Sequence, residues 1–137
     1  MKIKSLILVL FATSISHLAH SQINQDEIYG QWKVKQIVEK PSDSEFAPLV
    51  EGFGKATFSF EKNGNFKLAT SSDSPLFAMV TEMMDNTNWK FDSKEQLIRI
   101  GGEEDGYSIM GIYPKKQGAK ILFHLDESGM SFEMEKN

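Results

Sequence analysis

Eight runs of alternating apolar and polar residues follow one another between Gly30 and Met134, most of them separated by only a few turn-forming residues. In an extended chain successive side chains point to opposite faces, so each run offers one apolar and one polar face. In the first, Gly30 to Val38, this places Trp32, Val34 and Val38 on one face and Lys33, Lys35 and Ile37 on the other. Ala56, Phe58 and Phe60 alternate with Thr57, Ser59 and Glu61, and Phe66, Leu68 and Thr70 continue after Asn63-Gly64. Asn-Gly between alternating runs marks a hairpin. Trp89 and Phe91 make a short fourth strand, Leu97 to Ile100 a fifth, and Gly106 to Tyr113 a sixth that Pro114 ends. Ile121, Phe123 and Leu125 form the seventh, and Met130, Phe132 and Met134 the eighth. Strands joined in sequence by short turns make an antiparallel meander. Eight is the number at which such a sheet closes into a barrel just wide enough to be filled by side chains or to hold one small ligand. The expected fold is all-β: an eight-stranded antiparallel up-and-down barrel spanning residues 22–137.

Two segments break the alternation. Ser74 is a good N-cap and Pro75 suits the first helical position. Leu76, Phe77, Met79, Val80, Met83 and Met84 then fall on one stripe, with Ala78, Thr81, Glu82 and Asp85 opposite, which predicts an amphipathic helix over 74–86 between the third and fourth strands. In 41–54, Phe46, Leu49, Val50 and Phe53 follow helical spacing, and Pro48 limits the length of any helix there. Connections in an up-and-down barrel alternate between its two ends. Both apolar segments therefore share one mouth with the loop Gly101 to Gly106 and the turn Asp126 to Gly129. The other end carries only the turns at Asn63-Gly64, Ser93-Lys94 and Lys116-Gln117. Function is expected at the elaborate end.

The first 21 residues read as an export signal: Lys2 and Lys4, an apolar run from Leu6 to Phe11 extended by Ile15 and Leu18, and small residues in Ala19-His20-Ser21. Cleavage is expected before Gln22, leaving about 115 residues, enough for one domain with a real core. The apolar run is too short to remain as a membrane-spanning helix, which needs about 20 residues. A periplasmic or secreted protein with no stable membrane anchor is expected. The chain has no cysteine, so it stands on its core alone. Its net charge of −4 and single arginine, Arg99, argue against nucleic acid as a partner.

No constellation of catalytic residues stands out. His124 alternates with Phe123 and Leu125, which points it outward, and no cysteine is present to complete a zinc site with it. A Ser-His-Asp set can be assembled on paper, but no nucleophile-elbow motif supports it. Glu103-Glu104-Asp105 lacks the alternating ligand pattern of a calcium loop. Neither enzyme activity, a metal nor a cofactor is expected.

Gly30-x-Trp32 at the start of the first long strand, followed by an eight-strand meander with its large loops at one mouth, resembles the lipocalin superfamily, and most of all the small lipocalin-like domains of exported bacterial proteins. The resemblance implies that Trp32 packs across the closed end of the barrel. It also implies a basic partner for that ring near the end of the strands, where Lys136 is the nearest candidate in a chain without an arginine there. The Thr-Asp-Tyr motif of that superfamily is absent.

Two functional readings follow. In one, the barrel binds a small apolar molecule in its interior or mouth, in a site lined by Phe58, Phe60, Phe66, Leu68 and Phe123 and gated by Phe77, Met79, Val80 and Met83 of the 74–86 helix. In the other, that helix plugs a filled barrel whose apolar mouth contacts another protein. A closed apolar void of several hundred Å³ would favour the first. A packed interior with Phe46, Leu49 or Met83 exposed would favour the second.

Overall fold

The computed structural model describes residues 22–137, so the export-signal reading lies outside the described residues. Eight strands close into one antiparallel barrel in strict sequence order: β1 (Gly30–Glu39), β2 (Ala56–Phe60), β3 (Asn65–Thr70), β4 (Thr87–Asp92), β5 (Leu97–Gly101), β6 (Met110–Gln117), β7 (Lys120–Leu125) and β8 (Ser131–Lys136). Closure is completed by β1 against β8, with Trp32 opposite Lys136 and Val34 opposite Met134.

The hairpins show why these residues turn where they do. Gly64 takes φ +94°, Asn63 accepts from the Asn65 N–H at 3.0 Å, and Phe60 comes to lie opposite Phe66. Gly118 and Ala119 make a two-residue hairpin with Gln117 opposite Lys120, and Gly118 is left-handed at φ +60°. The sixth strand is shifted from its expected place. It begins at Met110, because Gly106 and Tyr107 both take positive φ and keep the chain turning, and it runs through Pro114 to Gln117. Proline is tolerated because the β5–β6 ladder ends at Ile98 opposite Ile112, so the missing N–H lies beyond it.

β1 also departs from simple alternation. Its pairing with β8 slips between Val34 and Gln36 and again between Ile37 and Glu39. Each slip changes which face the following residue occupies. Ile37 packs against the core and Val38, expected inside, is 51 % exposed.

The interior is a continuous aromatic column. At the end where the chain enters, Tyr29 meets Trp89 edge-on, with ring centroids 5.5 Å apart, and Trp89 meets Phe60 at 5.3 Å. The column continues through Phe66, Phe58 and Phe123 to Phe132 and Phe53, and ends on Phe77 at 4.8 Å from Phe53. A short helix α1 (Gln25–Ile28) closes the first end. It buries Ile28, while Ile23 buries beside it and is held by the Gln96 side chain through bonds to both its N–H and C=O. The Trp32 indole N–H donates to the Ile28 carbonyl at 2.8 Å, and the Lys136 ammonium lies 5.2 Å from the Trp32 ring centroid while donating to the Glu27 carbonyl.

Candidate functional site

The four long connections all emerge at the end opposite α1. The first contains a 3₁₀ turn (Ser44–Phe46) leading into helix α2 (Ala47–Gly54), where Pro48 is harmless because the first turn has no N–H partners to lose. The second contains helix α3 (Pro75–Met83), capped by the Ser74 hydroxyl accepting from the Phe77 N–H. The two helices pack on one another where Gly52 has no side chain and Phe77 fills the space. The Thr70 hydroxyl pins the end of α2 by donating to the Gly52 carbonyl at 2.8 Å.

The expected single stripe on α3 divides into two. Phe77 and Met84 are buried and Val80 packs against the core, whereas Leu76, Met79 and Met83 face solvent, with Met79 61 % and Met83 63 % exposed. Residues three and four apart share a helix face, so Phe77, Val80 and Met84 form one row and Leu76, Met79 and Met83 a second, displaced by one residue. The helix therefore does two things. Its inner row caps the barrel core, and its outer row offers three large apolar side chains to the outside. Phe46 is also exposed, at 40 %.

Phe58, Phe60, Phe66 and Phe123 are each no more than 1 % exposed, and Leu68 is buried. These residues were expected to line a ligand site with the helix. The structure packs them against one another: Phe58, Phe66, Leu68 and Phe77 border none of four hollows among the described residues, whereas Phe60 borders one at the α1 end and Phe123 borders another of about 290 Å³ beside Trp32 and Ile28. The widest of these, about 560 Å³, lies at the α1 end between the start of β1 and the β2–β3 turn, where Lys62 reaches over the Tyr29 ring. At the mouth there is an apolar crevice of about 200 Å³ between α2, α3 and the β5–β6 and β7–β8 connections, lined by Leu49, Phe53, Val80, Met84, Ile109 and Leu125. Met83 and Glu127 also line it, so the outer row of α3 runs into it.

Two polar clusters near the mouth hold loops and strands together. Asp105 closes the β5–β6 loop on itself: its carboxylate accepts from the Gly102 and Ser108 N–H groups at 3.1 Å. Those bonds hold its carboxyl below the ordinary value, the Gly102 bond most of all. His124 Nδ1 lies 2.7 Å from Ser131 Oγ, and the Ser131 hydroxyl donates to Glu39 at 3.1 Å. A hydroxyl has one proton to give, so with Glu39 receiving it Ser131 Oγ turns its lone pairs toward Nδ1, an arrangement that suits Nδ1 as the donor. A catalytic serine needs the histidine as acceptor of its proton. Here serine sits in the middle of the chain, and the arrangement ties β1, β7 and β8 together. Among the described residues, no group of three or more His, Asp or Glu side chains is placed to hold a metal ion.

Sequence reasoning missed the split of the α3 stripe. The signal was present: six apolar residues in nine positions of a short helix are too many for one face, and a second face has to go outward. Comparison of the chain with protein-family models, with curated proteins and with solved structures finds no match in any of the three.

Proposed function

We propose that this chain is an exported lipocalin-like barrel that acts as a protein-binding module through its mouth. The observation that carries this reading is the division of labour on α3: Phe77 completes a filled interior while Leu76, Met79 and Met83 stand in solvent. A barrel interior packed by phenylalanines leaves binding to the surface, and adjacent exposed apolar side chains are the usual mark of a contact patch. Export rests on the sequence pattern of residues 1–21, and the lipocalin-like relation on Gly30-x-Trp32, with Trp32 lying across the closed end beneath Lys136. A second reading, a small apolar ligand at the mouth, draws on the crevice. Its volume of about 200 Å³ falls below the roughly 300–1,000 Å³ common for ligand sites.

Methyl-labelled methionine separates the two. Met79 reports the outer row, Met84 and Met110 the crevice, Met83 the edge where the two meet, and Met130 and Met134 the interior. Extraction of natively purified protein followed by mass spectrometry should yield no stoichiometric apolar molecule, and titration with an apolar dye should move the Met79 and Met83 methyl signals first. A stoichiometric lipid in the extract would overturn the protein-binding reading, in favour of a mouth ligand where its removal alters the Met84 and Met110 signals and of an internal ligand where it alters those of Met130 and Met134.

A further inference from the structure

The charge of the described chain is sharply polarised along the barrel axis. The four mouth connections, 40–55, 71–86, 102–109 and 126–130, hold eleven of the nineteen carboxylates and only two lysines, Lys40 and Lys55. The rest of the described chain holds eight carboxylates against eleven lysine and arginine residues. The mouth thus has a formal charge of −9, on a body of +3.

Ion pairing sharpens the difference. Away from the mouth, Glu27, Glu61, Glu95 and Glu133 each have a basic partner within 4 Å. Of the eleven mouth carboxylates, only Glu51 has one among the described residues, a loose pair with Lys55 at 3.9 Å. Glu82 and Asp85 stand exposed on and just after α3, and Glu127 stands at the lip of the crevice. The unpaired carboxylates therefore surround the same end of the barrel at which the outer row of α3 is exposed.

From this combination we infer that the mouth receives a basic amphipathic helix: a partner segment whose apolar face lies on Leu76, Met79 and Met83 and whose lysines or arginines meet the surrounding carboxylates. The inference rests on the protein-binding reading above and supplies the chemistry of its partner. Leu76, Met79 and Met83 repeat at i, i+3 and i+7, a row of about 10 Å that matches two turns of a partner helix. Unbranched methionine adapts to irregular apolar faces, which suits a docking row without a preformed deep pocket. The charge selects the occupant. Two mouths face to face would each oppose nine like charges, and an anionic membrane surface would be repelled, whereas a basic segment gains steering and rim pairing.

The test uses the purified protein and three fluorescently labelled peptides of about fourteen residues, long enough to form a helix on a surface. One is a leucine–lysine amphipathic helix, one has glutamate for every lysine, and one has the leucine–lysine composition scrambled out of helical register. Binding is read by anisotropy from roughly 50 to 500 mM salt, a range over which screening becomes strong. The ordered basic peptide should bind, weaken steadily with salt, and shift the Met79 and Met83 methyl signals. The acidic and scrambled peptides should bind at least about tenfold more weakly. Met79→Ser with Met83→Ser should lose about tenfold or more in affinity at an unchanged urea midpoint. Glu82→Gln, Asp85→Gln and Glu127→Gln together should weaken binding and flatten its salt dependence, while Glu61→Gln with Glu95→Gln, away from the mouth, should not. Equal binding of the ordered and scrambled basic peptides, or binding indifferent to the mouth substitutions, would overturn the basic-helix inference. If the acidic peptide binds as well and depends on Met79 and Met83, the mouth remains a docking surface and only its charge preference fails. If no apolar peptide moves the Met79 and Met83 signals, the protein-binding reading fails with it. Dimerisation abolished by the two serine substitutions would assign the surface to a second copy and also overturn the inference.

Discussion

The Phe77 ring lies directly on the backbone of Gly52: a β-carbon at Gly52 would overlap Cβ, Cγ and Cδ2 of Phe77. The clash involves the rigid base of the phenylalanine, so the ring cannot swing clear. The missing side chain at Gly52 lets α3 sit close on α2 with Phe77, in its inner row, fully buried.

Gly52→Ala sets two effects against each other. A glycine-to-alanine change inside a helix ordinarily stabilises by about 0.5–1 kcal/mol. Forcing extra volume into a packed site costs about 1–3 kcal/mol. The overlap should win, lowering the urea midpoint in the wild-type background. With Phe77→Ala as the background the overlap is gone and the same substitution should become neutral or stabilising. The sign reversal in this double-mutant cycle is the measurement, and equal effects in both backgrounds would mean that Phe77 does not sit on Gly52.

At the closed end, Trp32 has 7 % of its surface exposed and donates to the Ile28 carbonyl. Trp32→Ala should cost about 3–5 kcal/mol, the usual range for truncating a buried aromatic side chain. Lys136 lies over that ring from solvent, and an exposed cation over an aromatic face contributes about 0.5–1 kcal/mol. Lys136→Met should therefore shift the midpoint only slightly. A Trp32→Ala protein with unchanged stability would remove the anchor on which the lipocalin-like reading stands.

Glu133 on β8 faces Lys35 and Gln36 of β1 and Lys120 of β7. Burial opposes its ionisation, but hydrogen bonds from Gln36 and Lys35 and the charge of Lys120 outweigh it, holding the carboxyl below its ordinary value. A lowered folded value means the carboxylate stabilises the fold above the ordinary pKa of about 4.3, and that contribution disappears as pH falls through the folded value. Wild-type stability should drop between roughly pH 5 and 3, and Glu133→Gln should make that drop shallower while lowering stability at neutral pH. A Glu133→Gln protein whose pH profile parallels wild type over that interval would contradict the assignment.

The barrel was legible because each strand carries its own alternation and each short turn its own chemistry, as at Asn63-Gly64. The mouth was legible from topology alone, since connections alternate ends however they fold. What the chain did not disclose depends on contacts across elements. Nothing near Phe77 in sequence says that Gly52 leaves a hole for it, so which of six apolar residues on α3 would go inward was undetermined. Pro114 looked like a strand end because its harmlessness depends on where β5 stops. The charge polarity was countable in the sequence, but it became a surface only once the four connections were gathered at one end.

The two slips of β1 against β8 give the last prediction. Strict alternation puts Val38 with Trp32 and Val34, on the buried face. The slips instead turn Ile37 toward the core, where it lies against Gly54 of α2, and leave Val38 more than half exposed. Val38→Ser should accordingly change stability by no more than about 0.5 kcal/mol, as surface substitutions usually do. Ile37→Ala should cost about 1–3 kcal/mol, less than the 2–5 of a fully buried isoleucine because Ile37 is only half-buried. Urea midpoints of the two single variants decide the matter. The reverse ranking, with Val38 the costly position, would mean that β1 pairs with β8 without slipping and that the contact between β1 and α2 is misplaced.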